Sequence, residues 1–110
     1  MSRLKALLLG AMLGGVPALA IPIALHAAAD QQVTIDNFAF TPQNLSVTAG
    51  TAVTWKNRDD IPHSIVIGSI SVHSHPLDTD QTFSYTFDKA GTYQYMCGLH
   101  PNMHGQIVVQ

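Results

Sequence analysis

Cys97, the only cysteine of the chain, opens the segment Cys97-Gly98-Leu99-His100-Pro101-Asn102-Met103, which carries a thiol, an imidazole and a thioether in the spacing C-x2-H-x2-M. Upstream, Ile61-Pro62-His63-Ser64 supplies a second imidazole. Two imidazoles, a thiolate and a thioether suit copper cycling between Cu(I) and Cu(II). The sulfurs favour Cu(I), imidazole serves both states, and three strong donors with one weak sulfur fit neither ion fully. Little need move when an electron arrives or leaves, which points to electron transfer. Zinc also takes Cys and His, but its closed sites normally add a fourth Cys, His or carboxylate rather than a thioether. Met103 therefore tilts the choice toward copper.

Taken one at a time, these residues have ordinary readings. His63 could cap the strand that Ser64-Ile65-Val66-Ile67 suggests, Cys97 could be a small buried hydrophobe, Met103 could fill the core, and His100-Pro101 could shape a turn. Their coincidence in one chain reverses that balance. Two other functions compete. Cys97 with His100 or His63 could form a thiolate–imidazolium nucleophile, but Met103 has no part in such chemistry. Alternatively, the chain could carry copper to another protein, for which labile, exposed ligands such as His73-Ser74-His75 would serve. That pair lies in a Ser/Pro/Asp-rich stretch that reads as a solvated loop. The role of His104 stays open.

The elements that must position these residues are strands. Residues 33–35, 44–47, 52–56, 64–67, 82–87, 92–96 and 106–109 read as short β segments, separated by turns such as Thr48-Ala49-Gly50-Thr51 and Asp88-Lys89-Ala90-Gly91. Many short strands in one small domain imply an all-β, two-sheet sandwich. Alternation turns Val53, Trp55, Ile65, Ile67, Phe83, Tyr85 and Phe87 inward, and puts Tyr93 and Tyr95 on the same face as Cys97. The thiol thus emerges on the buried side at the end of a strand, where a packed scaffold can hold it still. No internal repeat, second domain or low-complexity tract is visible.

Residues 1–29 have the pattern of a secretory signal peptide: Arg3 and Lys5, an apolar run from Ala6 to Leu25, and Ala27-Ala28-Ala29 before Asp30. The apolar run is also about as long as a membrane-spanning helix requires, although Pro17, Pro22 and several glycines weaken it. The expectation is an exported, periplasmic domain over residues 30–110, free of the membrane once the leader is cleaved. Beyond residue 29, Lys56, Arg58 and Lys89 face seven aspartates, which argues against a nucleic-acid partner. A lone cysteine permits no internal disulfide, and a free thiol is a liability in an oxidising compartment. Metal ligation would resolve that conflict.

From Phe40-Thr41-Pro42 through Val47-Thr48-Ala49-Gly50-Thr51, Val53-Thr54-Trp55, Pro62-His63, Ala90-Gly91-Thr92-Tyr93-Gln94-Tyr95-Met96-Cys97 and His100-Pro101-Asn102-Met103-His104-Gly105, the chain resembles the cupredoxins, the small blue-copper proteins. The x2/x2 ligand loop is most similar to that of amicyanins, with pseudoazurins and plastocyanins next. The resemblance implies a Greek-key β-sandwich holding one type 1 copper ion, with His63, Cys97 and His100 as equatorial ligands and Met103 as the axial one. It also implies a monomeric, non-enzymatic electron carrier that docks redox partner proteins near His100. One departure is Ser64, where many relatives have an Asn whose amide ties the two ligand loops together.

Overall fold

The structure, a computed structural model, describes residues 30–110; the expected leader over 1–29 lies outside them. In chain order the strands are β1 (Gln31–Asp36), β2 (Ala39–Thr41), β3 (Asn44–Val47), β4 (Thr51–Asn57), β5 (Val66–Ile67), β6 (Val72–His73), β7 (Thr82–Phe87), β8 (Gly91–Met96) and β9 (His104–Val109). They form two sheets, β2-β1-β4-β7 and β3-β9-β8-β5-β6. β1 runs parallel to β4 and β3 parallel to β9, while the remaining pairs are antiparallel. The chain passes between the sheets repeatedly, as a Greek-key sandwich requires.

Period-2 alternation drives this arrangement. In β4, Thr51, Val53, Trp55 and Asn57 are buried while the residues between them are half-buried. Val33 and Ile35 of β1, Phe87 of β7, Tyr95 of β8 and Ile107 of β9 meet them in one core, together with Ile65 and Ile67. The inward faces read from the sequence are largely observed, although Phe83, Tyr85 and Tyr93 pack only partly buried at the margin of this core.

Three local differences have physical reasons. β2 and β6 are short edge strands, too brief to show a periodic pattern, and β6 places His73 on an exposed strand rather than in a loop. His75 is exposed in the segment that follows. The strand expected over 64–67 contracts to Val66–Ile67, because His63 instead forms an isolated bridge with Leu77. Its N–H donates to the Leu77 carbonyl at 3.2 Å, and the Leu77 N–H donates back at 2.6 Å.

Beneath the end of the sandwich that carries Cys97, Trp55 meets Tyr95 edge-on, with ring centroids 5.3 Å apart. Burial pushes the Tyr95 hydroxyl up to about 12. The Trp55 indole N–H, close to that oxygen but short of a well-formed hydrogen bond, works weakly the other way. The ring of Tyr95 lies over its cross-strand partner Gly105, where an added Cβ would overlap the phenol. Glycine is therefore required two residues beyond Met103 so that β9 can approach β8. Gly105→Ala should cost about 2 kcal/mol through overpacking, lowering Tm by roughly 10 °C for a domain of this size. A thermal melt checks this.

Candidate metal centre

Three segments converge at one end of the sandwich: the 58–65 loop after β4, the 77–81 loop before β7, and the 97–103 loop between β8 and β9. Asn57, fully buried, joins the first two. Its side-chain amide donates to the carbonyls of Ile61 and Leu77, both at 2.8 Å, and its side-chain oxygen accepts the Asp59 N–H at 2.9 Å. With its donors and acceptor engaged, a polar side chain in the core becomes a rigid joint. The third loop turns back on itself, with the Met103 N–H donating to His100 O at 2.9 Å and the Cys97 N–H to Met103 O at 3.1 Å. This fold-back returns His100 and Met103 toward the end of β8.

The result gathers the donors. Cys97 Sγ lies 3.6 Å from His63 Nδ1 and 3.7 Å from His100 Nδ1. A trigonal first-row ion with bonds of about 2.0 Å to nitrogen and about 2.3 Å to sulfur would hold N and S about 3.7 Å apart. The third side of the triangle is at most 4.8 Å, and half-buried His100 is the corner with room to close. His63 and Cys97 are completely buried and Met103 is 6% exposed. Two imidazoles and a thiol at that spacing, with the Met103 thioether buried in the same core cluster as Cys97, fit a copper ion better than zinc. Among the described residues this is the one group of three or more His, Cys, Asp or Glu side chains close enough to share a metal. Among the same described residues, His73 and His75 acquire no third partner of those types.

The surroundings fix how each donor points. The Ser64 N–H donates to Cys97 Sγ at 3.3 Å, while Pro101 has no N–H to offer. The Ser64 hydroxyl accepts the Gly98 N–H at 3.0 Å. The serine thus ties the two ligand loops directly, answering the departure seen in the sequence. A Cβ on Gly98 would come within 2.8 Å of that hydroxyl and 3.0 Å of Val66 Cγ2, so the brace needs glycine on its far side.

Two residues that the sequence did not single out complete the site. Asp59 Oδ2 lies 2.8 Å from His63 Nε2 and also accepts the Phe38 N–H at 3.0 Å, while Oδ1 accepts the Asn37 N–H at 2.6 Å. Desolvation raises the pKa of the Asp59 carboxyl, but the Phe38 and Asn37 N–H groups and then His63 outweigh it and hold the group below its usual value. Phe38 stands edge-on to both ligand-candidate histidines, with ring centroids 5.4 Å from His63 and 5.2 Å from His100. Asp59 precedes His63 by four residues in an acidic turn, a pattern shared by many solvated loops. Phe38 carries no local signal at all.

A family profile described as a cupredoxin-like domain matches residues 7–109. The amicyanin of Paracoccus denitrificans is 34% identical over 96 residues, covering 81% of this chain and 73% of that protein. The amicyanin-alpha of Methylorubrum extorquens is 35% identical over 76% of this chain and 74% of its own. A plastocyanin of Scenedesmus fuscus is 36% identical over 64% of this chain and 86% of its own. Among solved structures, a methionine-to-alanine mutant of amicyanin in the Cu(I) form superposes with a TM-score of 0.68 at 34% identity, covering 72% of this chain and 80% of that one. A copper-containing nitrite reductase from Thermus scotoductus reaches the same TM-score at 27% identity, but the match spans only 22% of that enzyme. The sandwich, the sulfur and nitrogen donors at its end and these similarities agree: the chain belongs to the cupredoxin family.

Proposed function

We propose that this chain is an exported blue copper protein that carries single electrons between redox partner proteins, with His63, Cys97 and His100 as its strong ligands and Met103 as the weak axial one. The observation that carries this reading is the pair of sulfur–nitrogen separations, 3.6 and 3.7 Å, held in a dry, braced end of the sandwich. Bound there, copper supplies a one-electron couple between Cu(I) and Cu(II). Cys97 and His63 come from packed backbone that resists displacement, and Met103 is buried beside them, so the ligand cage has little freedom to rearrange. Half-buried His100 is the ligand that reaches toward solvent.

Complete burial of Cys97 and His63 favours this reading over its rivals. A copper carrier needs ligands that another protein can reach, and a cysteine nucleophile needs a substrate at its sulfur. We read the chain as monomeric, as free of the membrane once residues 1–29 are removed, and as having no nucleic-acid partner. Among the described residues no helix is long and apolar enough to cross a membrane.

The docking face centres on His100. Leu99 and Phe38 are 49% and 51% exposed, and Pro62 and Pro101 are exposed beside them in the ligand loops. Transient electron-transfer contacts are small and depend on a few apolar anchors.

Three experiments follow. Cys97→Ser should abolish the intense visible absorption of the Cu(II) protein. Met103→Leu should keep copper and colour but raise the reduction potential by about 59 mV for each tenfold loss of Cu(II) affinity not matched in Cu(I); an unchanged potential would remove Met103 from the ligand set. Leu99→Asp should slow electron self-exchange between Cu(I) and Cu(II) copies about tenfold or more, because like charges would meet at the centre of the contact. The visible spectrum should not change. An unaltered rate would move the docking face elsewhere.

A further inference from the structure

The turn between β1 and β2 is conformationally costly. Asn37 and Phe38 both have positive φ, 54° and 58°, the pattern of a two-residue type I′ hairpin whose second position normally takes glycine. A phenylalanine in the left-handed region is strained because its Cβ crowds the following carbonyl oxygen, and such strain persists only where surrounding structure imposes it. Here the Asp59 carboxylate imposes it. It receives the N–H of both turn residues, and its Oδ2 also meets His63 Nε2. The backbone of the same loop is anchored too: the Thr79 hydroxyl donates to Asp59 O at 2.5 Å, and the Arg58 N–H donates to Ile35 O at 2.7 Å.

We propose that Asp59 is a positioning residue for the metal centre, one carboxylate clamping the buried His63 ring and the strained Phe38 turn into a single unit. An ionised carboxylate only accepts hydrogen bonds, so Nε2 carries the ring proton and Nδ1 presents its lone pair toward Cys97 Sγ. The clamp therefore selects the tautomer able to bind a metal and fixes the ring plane. It also lays Phe38 against the edges of both imidazoles, so that the buried ligand and the exposed apolar face hold a common register. The negative charge behind His63 favours the more positive oxidation state, holding the reduction potential down.

This inference rests on the metal-site reading, and the two can fail separately. In Asp59→Asn the side-chain amide cannot accept from all three donors, so at least one N–H is stranded, and the charge is lost. The blue colour should survive, because all four ligands remain. Cu(II) affinity should fall ten- to hundredfold, and the potential should rise by about 59 mV per tenfold of that loss not shared by Cu(I). Asp59→Glu, which restores the charge on a longer arm, should recover part of both. Unchanged affinity and potential in Asp59→Asn overturn the proposal, even if Tm falls, since the carboxylate would then be merely structural.

NMR of the wild-type Cu(I) protein gives a second test that does not depend on any variant folding. The His63 ring proton should sit on Nε2 and be protected from solvent exchange. A freely exchanging Nε2 proton, or a proton on Nδ1, also overturns the clamp. A wild-type chain that binds no copper defeats the metal-site reading and the clamp together, whereas a blue protein indifferent to Asp59 defeats the clamp alone.

Discussion

An imidazole and a thiol, His63 and Cys97, lie side by side with no exposure to solvent, and the rest of this end of the molecule answers that constraint. Buried polar groups left without partners cost about 1–3 kcal/mol each. The fold meets the cost with fixed donors and acceptors: Asp59 behind the imidazole, the Ser64 N–H on the sulfur, and the Leu77 bridge on the backbone. None of these partners can withdraw without stranding another group, so the same bonds that make burial tolerable also make the site stiff. Stiffness is what rapid electron exchange requires of a ligand cage.

The sandwich supplies this at modest cost because the site grows out of strand ends. Cys97 continues the register of β8, in which Tyr95 is buried, and it inherits an inward direction from the pleat. Close approach of β9 at Gly105 draws Met103 back to the same end. His63 sits just before β5, on backbone bridged to Leu77 and joined through Asn57 to the end of β4. Both sheets thus hold His63 and Cys97, and moving either means moving backbone tied to a core strand, while His100 sits on a loop.

The gathering of donors was legible because its signal is chemical and compact: three donor types in seven residues, with the C-x2-H-x2-M spacing intact. The core was legible for a similar reason, since the alternation in β4 and β7 is strong. β2, β6 and the Phe38 turn were not. A three-residue edge strand has no period to detect, and a phenylalanine at positive φ runs against local preference. Asp59 was hidden because its role is wholly tertiary. It sits 21 residues from Phe38 in sequence and acquires meaning only when the hairpin folds over it. Ser64 shows the same limit: its hydroxyl ties the loops only because Gly98 comes within 3.0 Å.

The central claim is that the protein builds the cage before the metal arrives and keeps it unchanged as the electron comes and goes. Crystal structures of the apo, Cu(I) and Cu(II) forms test it most directly. The account predicts one copper at this end, with Cys97 Sγ remaining close to 3.6 Å from His63 Nδ1 and 3.7 Å from His100 Nδ1, shifting by no more than about 0.5 Å among the three forms. Copper seated at His73 and His75, or a Cys97–His63 pair that separates when the metal leaves, would contradict it.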